Sequence, residues 1–211
     1  MYRNFIKRIL DIVLSFCGII VLLVPMVLIV ILIEFEDPGN PFFAQRRIGK
    51  NKRLFRMIKF RSMKKSTPHD VPTHLLENPE QYLLKTGRVL RKTSLDEIPQ
   101  LFNIFLGQMS IVGPRPALWN QDDLSFERDK YGANNVRPGL TGWAQVNGRD
   151  ELLISDKARY DGEYVKNISF KMDLTCFFMT IGNVLKSKGV VEGGTGALAG
   201  KPEKKDSGDN N

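Results

Sequence analysis

Between residues 12 and 33 the chain reads IVLSFCGIIVLLVPMVLIVILI, without one charged side chain. As a single helix these 22 residues reach roughly 33 Å, about the thickness of a bilayer's hydrocarbon core. This run constrains the fold more than any other stretch. A cleaved signal peptide does not fit, because the run exceeds an h-region and no small-x-small site follows it. A transmembrane helix and a re-entrant helix that enters and leaves on one face both remain open. Pro25 lies near the middle, removes a backbone donor and favours a kink. Arg3, Lys7 and Arg8 precede the run, and residues 46–65 after it hold ten Lys or Arg and no acid. Positive charge favours the cytoplasmic side, and a single straight span cannot place both flanks there. Proline is nonetheless tolerated inside spanning helices, so the flanks alone do not decide.

The rest of the 211-residue chain is long enough for one domain with its own core. Its net charge of +8 and pI of about 9.5 point to an anionic partner: nucleic acid, phospholipid headgroups or a phosphorylated substrate. Cys17 and Cys176 lie far apart in apolar surroundings and suggest no disulfide framework. His69 and His74 are too few for a typical zinc site, so oxygen ligands are expected for any metal.

The stretch AQRRIGKNKRLFRMIKFRSMKK interleaves cations with Ile48, Leu54, Phe55, Met57, Ile58, Phe60 and Met63. Such a pattern fits an interfacial segment whose cations meet anionic headgroups, and its alternation also allows a short strand. A solvated charge run is the plainer reading. A nucleic-acid surface ranks last with a membrane segment so near. Residues 66–78 read as a loop, and Pro79 opens a short helix. Gly87 marks a break or a close approach.

Ser94-Leu95-Asp96-Glu97 has the form of a capping box, with Leu95, Ile98, Phe102 and Phe105 or Leu106 as one apolar stripe and Gly107 as its end. The two acids are then explained by the helix dipole alone. Pro99, inside that helix, costs a hydrogen bond that propensity does not justify. Downstream, Gly113-Pro114-Arg115-Pro116 holds one arginine between two prolines, and a planar guanidinium suits phosphate oxygens. Pro138-Gly139 suits a type II turn, and Arg137 and Arg149 flank a glycine-rich region. Arginines on rigid loops near paired acids look like a phosphate and metal site.

Four ordered blocks carry a resemblance. They are Lys59-Phe60-Arg61-Ser62-Met63, the run from Arg91 through Asp96-Glu97-Ile98-Pro99-Gln100-Leu101, Met109-Ser110-Ile111-Val112-Gly113-Pro114-Arg115-Pro116, and Arg137-Pro138-Gly139-Leu140-Thr141-Gly142 with Gln145-Val146-Asn147-Gly148-Arg149. In this order they resemble the small monotopic phosphoglycosyl transferases, bacterial sugar transferases that begin capsule, exopolysaccharide and glycoconjugate assembly. The resemblance implies an α+β, mostly helical monotopic membrane protein. It has a re-entrant helix-break-helix over residues 1–36, broken at Pro25, and a small cytosolic and interfacial catalytic domain over 37–188 with amphipathic helices. The resemblance also implies transfer of a sugar 1-phosphate from a UDP-sugar to polyprenol (undecaprenyl) phosphate with release of UMP. Asp96 is then the nucleophile that forms a phosphosugar–aspartyl intermediate, and Glu97 the metal partner or base. Magnesium sits on Asp96 and Glu97, while Arg91 and Arg115 contact phosphate. Lys59, Arg137 and Arg149 match motif positions for the same task. Membrane lipids are further partners, nucleic acid is not, and the location implied is the cytosolic face of the bacterial inner membrane. The competing reading is a non-catalytic basic scaffold on the membrane surface, which leaves the acid pair and the arginine loops unexplained.

Residues 151–170 contain a polar helical stretch with Tyr160 and Tyr164 at i, i+4 spacing. Asp173 can cap a helix running to about Lys186. Its stripe of Leu174, Phe177, Phe178, Ile181 and Leu185 fits either a core or a membrane surface. Residues 189–211 lack an apolar period and read as a disordered tail.

Overall fold

The computed structural model describes residues 1–67, 79–148 and 152–185. A π-helical turn, Tyr2–Ile6, runs directly into helix α1, Lys7–Glu36. Its 30 residues give a length of about 45 Å. Among the described residues it alone is long and apolar enough to cross a membrane. Pro25 lies inside it, and the helix continues on both sides. The break expected there is therefore no interruption of the helix. A proline deletes its own N–H bond and crowds one carbonyl, and the neighbouring turns keep their ladder.

One stripe of α1 is covered: Asp11 and Ser15 in its first half, Met26, Ile29 and Ile33 in its second. The i+3 and i+4 steps place each set on one helical face. Met26, Ile29 and Ile33 join Phe60, Leu84 and Leu90 in one cluster. At Gly18 the helix approaches α3, Gln100–Phe105, so closely that a Cβ would sit 3.2 Å from Leu101 Cδ1. The opposite stripe, including Phe16, Ile20, Val24 and Leu28, is exposed.

Both ends of α1 are fastened to the same body. Near its start, Lys7 Nζ pairs with Asp173 Oδ2 at 2.6 Å. Arg8 donates to the carbonyls of Ile104 (2.7 Å) and Phe105 (2.8 Å), satisfying the open end of α3. Asp11 Oδ1 accepts from Ser110 Oγ (3.0 Å) and Ile111 N (2.9 Å). At the far end Glu36 accepts from the Lys85 N–H, from Thr86 N–H (3.0 Å) and from Thr86 Oγ1 (2.7 Å). These are the orphan donors of helix α2, Lys85–Thr93, which has no side-chain cap from its own N-cap residue.

The remaining elements form a mostly helical body with two small sheets among the described residues. Strands β1, Phe42–Ile48, and β2, Leu54–Phe60, make an antiparallel hairpin in which Arg47 faces Phe55 and Phe43 faces Lys59. Arg47, Phe55, Met57 and Lys59 thus share one side of the pleat. Met57 is buried with Ile104 and Met109. Strand β3, Ser110–Val112, pairs in parallel with β4, Gly139–Thr141. Helices α4, Asp122–Asp129, α5, Trp143–Val146, α6, Ile154–Lys166, and α7, Phe170–Leu185, complete the body. A second cluster gathers Val112, Ala133, Tyr164, Val165 and Cys176.

One local expectation changes here. Asp173 lies inside α7 and does not cap it. Its carboxylate is occupied by Lys7, Tyr2 (2.6 Å) and Tyr164 (2.7 Å). Leu174, Phe177, Phe178 and Ile181 are exposed, so this stripe of α7 does not serve the core. Gly87 is a close approach: a Cβ there would lie 2.0 Å from the Ser62 carbonyl oxygen. Pro79 opens a short 3-10 turn, Pro79–Tyr82. The tail beyond residue 188 and most of the 66–78 loop lie outside the described residues.

Candidate active site

Asp96 and Glu97 occupy a 3-10 turn, Leu95–Glu97, set between α2 and α3. Ser94 ends α2 in the left-handed region (φ 58°), and its side chain caps nothing. The capping box expected here does not form, because Glu97 turns inward to two cations and cannot reach back. Pro99 is the N-cap residue of α3 and does not lie within a helix. Its missing N–H falls among donors that have no helical partner anyway. The cost expected for it disappears. The short turn, the left-handed residue and the proline together hold the two acids at the head of α3.

The two carboxylates have different surroundings. Glu97 Oε1 accepts from Lys59 Nζ at 2.7 Å and from Arg115 Nη2 at 2.8 Å. Asp96 Oδ2 lies 3.9 Å from the same ammonium. Among the described residues Asp96 accepts no hydrogen bond, and 12 % of its side chain is still exposed. Burial acts to raise the Glu97 carboxyl, but Arg115 and Lys59 together hold it well below the usual carboxylate range. Burial also raises Asp96. Lys59 pulls it back, the charge of Glu97 pushes it up again, and the net direction is upward.

The other expected residues separate into two places. Lys59 and Arg115 are on the pair. Arg91, in the last turn of α2, donates through Nε to Ser62 Oγ (2.9 Å) and its charge acts on Asp96. Arg137 is elsewhere: it donates to the Gly107 carbonyl (2.9 Å), beside Arg8 at the end of α3. Among the described residues it makes no contact with either acid. Arg149 lies outside the described residues.

Three glycines allow the Arg115 loop to be where it is. A Cβ on Gly139 would lie 2.1 Å from Gly113 N, and one on Gly142 would lie 2.0 Å from Gly113 O. Gly139 does not have the left-handed φ that a type II turn needs. It is glycine because the backbones cross there, joined by Gly113 N–H to Thr141 O (2.8 Å) and Gly139 N–H to Pro114 O (2.9 Å).

One residue of this region was placed differently by the sequence. Arg47 belongs to the basic stretch read as an interfacial segment, a short strand or a solvated charge run, and its guanidinium turns inward. It donates to Pro116 O (3.0 Å) and to Gln45 Oε1 (3.1 and 2.6 Å). Burial, then the neighbouring charge of Arg115, brings it down to about 9, so it stays a cation at neutral pH. Period-two parity with Lys59 across the hairpin was the available signal, legible only once the register is known. Behind Arg115 opens a cleft lined by Arg47, Pro116, Gln145, Lys157 and Arg128.

The donor set fits a hard cation only in part. Two adjacent carboxylates match the one or two that Mg2+ takes when substrate phosphates supply further ligands. No group of three or more His, Cys, Asp or Glu able to hold a metal gathers among the described residues. A buried acid pair ringed by cations is the arrangement of a phosphate-handling enzyme. The chain belongs to the bacterial sugar transferase family, whose model matches residues 2–187, and it is a phosphoglycosyl transferase. It is 36% identical over 197 residues to the exopolysaccharide production protein ExoY of Sinorhizobium fredii, covering 87% of each chain. It is 37% identical over 188 residues to the UDP-glucose:undecaprenyl-phosphate glucose-1-phosphate transferase of Escherichia coli, covering 85% of this chain and 40% of that one. With the UDP-N-acetylgalactosamine-undecaprenyl-phosphate N-acetylgalactosaminephosphotransferase of Aeromonas hydrophila it shares 37% over 194 residues, 88% of this chain and 45% of that one. The chain thus spans less than half the length of the last two relatives.

Proposed function

We propose that this chain transfers a sugar 1-phosphate from a UDP-sugar to undecaprenyl phosphate or a similar polyprenol phosphate, releasing UMP, in two steps. The observation that carries the reading is the inequality of the two acids. Glu97 is committed to Lys59 and Arg115, while Asp96 accepts no hydrogen bond among the described residues. In the first step an Asp96 oxygen attacks the phosphorus that bears the sugar. The bond from that phosphorus to the bridging oxygen breaks, and UMP leaves with the electron pair. In the second step the phosphate oxygen of the polyprenol attacks the same phosphorus and frees Asp96. Two substitutions replace one difficult encounter between a soluble and a lipid substrate.

Lys59, Arg91 and Arg115 are the phosphate-facing cations in this reading, and Arg115 presents its fork from a loop held at both ends by proline. Asp96 and Glu97 are the residues to hold Mg2+, which when bound offsets the negative charge of the diphosphate. The sugar is left open by the fold. Relatives carry names that specify glucose, galactose and N-acetylgalactosamine.

Monotopic insertion from the cytosolic face of the inner membrane is part of the proposal. Its support is that the first and last turns of α1 both grip one body, so both flanks belong on one side of the bilayer. The lipid-facing surface is then the exposed stripe of α1, with Phe102, Phe105 and Leu106 near α3 and the exposed stripe of α7. The test of the chemistry is incubation with labelled UDP-sugar and no acceptor. One equivalent of UMP is expected, with sugar phosphate retained on the protein and located on Asp96 by mass spectrometry. Good turnover without any adduct would overturn the two-step route.

A further inference from the structure

Two arginines meet at the foot of α3, away from the two acids at its head. Arg8 donates to the carbonyls of Ile104 (2.7 Å) and Phe105 (2.8 Å), and Arg137 donates through Nε to that of Gly107 (2.9 Å). One chain end thus holds two guanidinium groups that come from distant parts of the sequence. The carbonyls supply hydrogen bonds and only partial negative charge. Arg8 feels the like charge of Arg137 and the opposite charge of Asp11. Asp11 is engaged with Ser110 and Ile111, and among the described residues no carboxylate lies within ion-pair distance of Arg8 or Arg137. Lys7 does not alter the balance, since Asp173 takes it. Two cations against one acid leave a single positive charge in excess. Arg137 uses only Nε, so both of its Nη groups stay open. The surroundings are apolar and exposed. Phe105 gives its carbonyl to Arg8 and its ring to Phe16 of α1, with centroids 6.0 Å apart. Phe16 lies about two turns along α1 from Arg8, toward the middle of the apolar run. Phe102 and Leu106 are exposed beside them. Concentrated positive charge bordered by open apolar surface is the complement of a lipid with an anionic head.

We propose that Arg8 and Arg137 form a headgroup site for one anionic phospholipid, its phosphodiester bridging the two guanidinium groups and an acyl chain lying along Phe16, Phe105 and Leu106. This goes beyond the transfer chemistry and rests on the membrane reading of α1. The lipid acceptor does not suit the site. Glu97 and Gly107 stand at opposite ends of α3, on the order of 15 Å apart at a helical rise. A polyprenol phosphate held beside Gly107 cannot reach a phosphorus on Asp96. Charge separates the two lipids as well. A phosphodiester carries a single negative charge, which matches the excess, whereas a phosphate monoester carries about −1.5 to −2 at neutral pH. The phosphate that Arg137 meets is therefore a membrane lipid's and not the donor's. Occupancy has a consequence for the site. Arg137 leads into Pro138 and Gly139, where Pro138 O accepts from Ser110 N (2.8 Å) and Gly139 N–H donates to Pro114 O (2.9 Å). One headgroup thus ties the start of α1 to the strand behind the Arg115 loop.

The test uses the full chain in nanodiscs that mix phosphatidylcholine with phosphatidylglycerol. Native mass spectrometry of the protein released from the discs is expected to show one phosphatidylglycerol retained in preference to phosphatidylcholine. Arg137→Gln should lower that retention at least about fivefold, the loss of one cation at a membrane surface. Arg137→Lys, which keeps the charge and loses the fork, should recover part of it. A photoreactive phosphatidylglycerol on the parent protein should label peptides carrying Phe16, Phe102, Phe105 or Leu106, and this arm needs no variant to fold. Inorganic phosphate in large excess should leave the retained lipid in place. Equal retention of the two lipids, labelling confined to α7, or undiminished retention in Arg137→Gln overturns the proposal. So does one-for-one displacement of phosphatidylglycerol by undecaprenyl phosphate, which would assign the site to the acceptor. The membrane reading fails by a different result, periplasmic labelling of a cysteine placed at residue 3, so the two failures are told apart.

Discussion

Lys59 Nζ lies 2.7 Å from Glu97 Oε1 and 3.9 Å from Asp96 Oδ2. One ammonium thus divides two neighbouring acids into a held one and an open one. The division sets what each acid does when it is altered.

Asp96→Asn keeps the shape of the turn and loses only the charge. A purely structural acid at a helix start is worth a fraction of a kcal/mol to about 1 kcal/mol, so the variant should fold and work. As a nucleophile its loss should cut turnover by roughly a thousandfold or more with little change in thermal stability. Steady-state UMP release and a melting curve on the same preparation give both readings.

The pH profile follows from the raised Asp96. The attacking form is the carboxylate, so UMP release should fail as pH drops through a value above the ordinary aspartate range. Lys59 is one of the groups holding that value down. In Lys59→Met the acid limb should move to higher pH, and an unmoved limb would show that Asp96 is not the group titrating.

Glu97 makes the opposite contribution to stability. Its folded carboxyl lies below its unfolded value, so the stabilisation is complete above the unfolded pKa and disappears as pH falls through the folded one. Glu97→Gln should therefore destabilise the protein at neutral pH by about 3 kcal/mol, since it leaves Lys59 and Arg115 without their carboxylate. The gap between variant and parent should narrow as pH falls below the usual carboxylate range. Thermal melts across a pH series measure it.

Membrane topology is testable at two positions. In a background with Cys17 and Cys176 both replaced by Ser, single cysteines at residues 3 and 40 should both react with a reagent delivered to the cytosolic side, and neither should react with a periplasmic reagent. Periplasmic labelling at one of them would replace re-entry by a simple crossing.

Gly142→Ala drives a methyl group to 2.0 Å from the Gly113 carbonyl. The backbone crossing must then open, at a cost on the order of 1–3 kcal/mol. Because Arg115 is two residues from Gly113, activity should drop further than stability alone explains.

Much of this arrangement could be read from the sequence, and the failures have physical causes. Charge and apolar runs marked α1, and the alternation in RLFRMIKFRSM marked β2. The acids, Lys59 and Arg115 were marked by motif. Local rules misread the turn itself: Ser94 and Glu97 satisfy a capping box on paper, but two distant cations offer Glu97 a stronger partner than a backbone N–H. Arg137 looked like a phosphate ligand because it flanks glycines, while its true neighbour, the Gly107 carbonyl, comes from another element. Arg47 was hidden because the direction of a side chain on a hairpin depends on register, which residue type does not encode.

Glu36, the last residue of α1, supplies the N-cap of α2, and α2 ends at the left-handed Ser94 that launches the Asp96 turn. Met26, Ile29 and Ile33 also form one wall of the core that holds Phe60, Leu84 and Leu90. The hydrophobic leader is thus a structural beam of the catalytic body, and not a leash that can be cut. A fragment beginning after residue 36 should emerge with an exposed greasy wall, an unstoppered helix and a displaced nucleophile. Any effort to obtain this enzyme without residues 1–36 would remove a support that positions its active site.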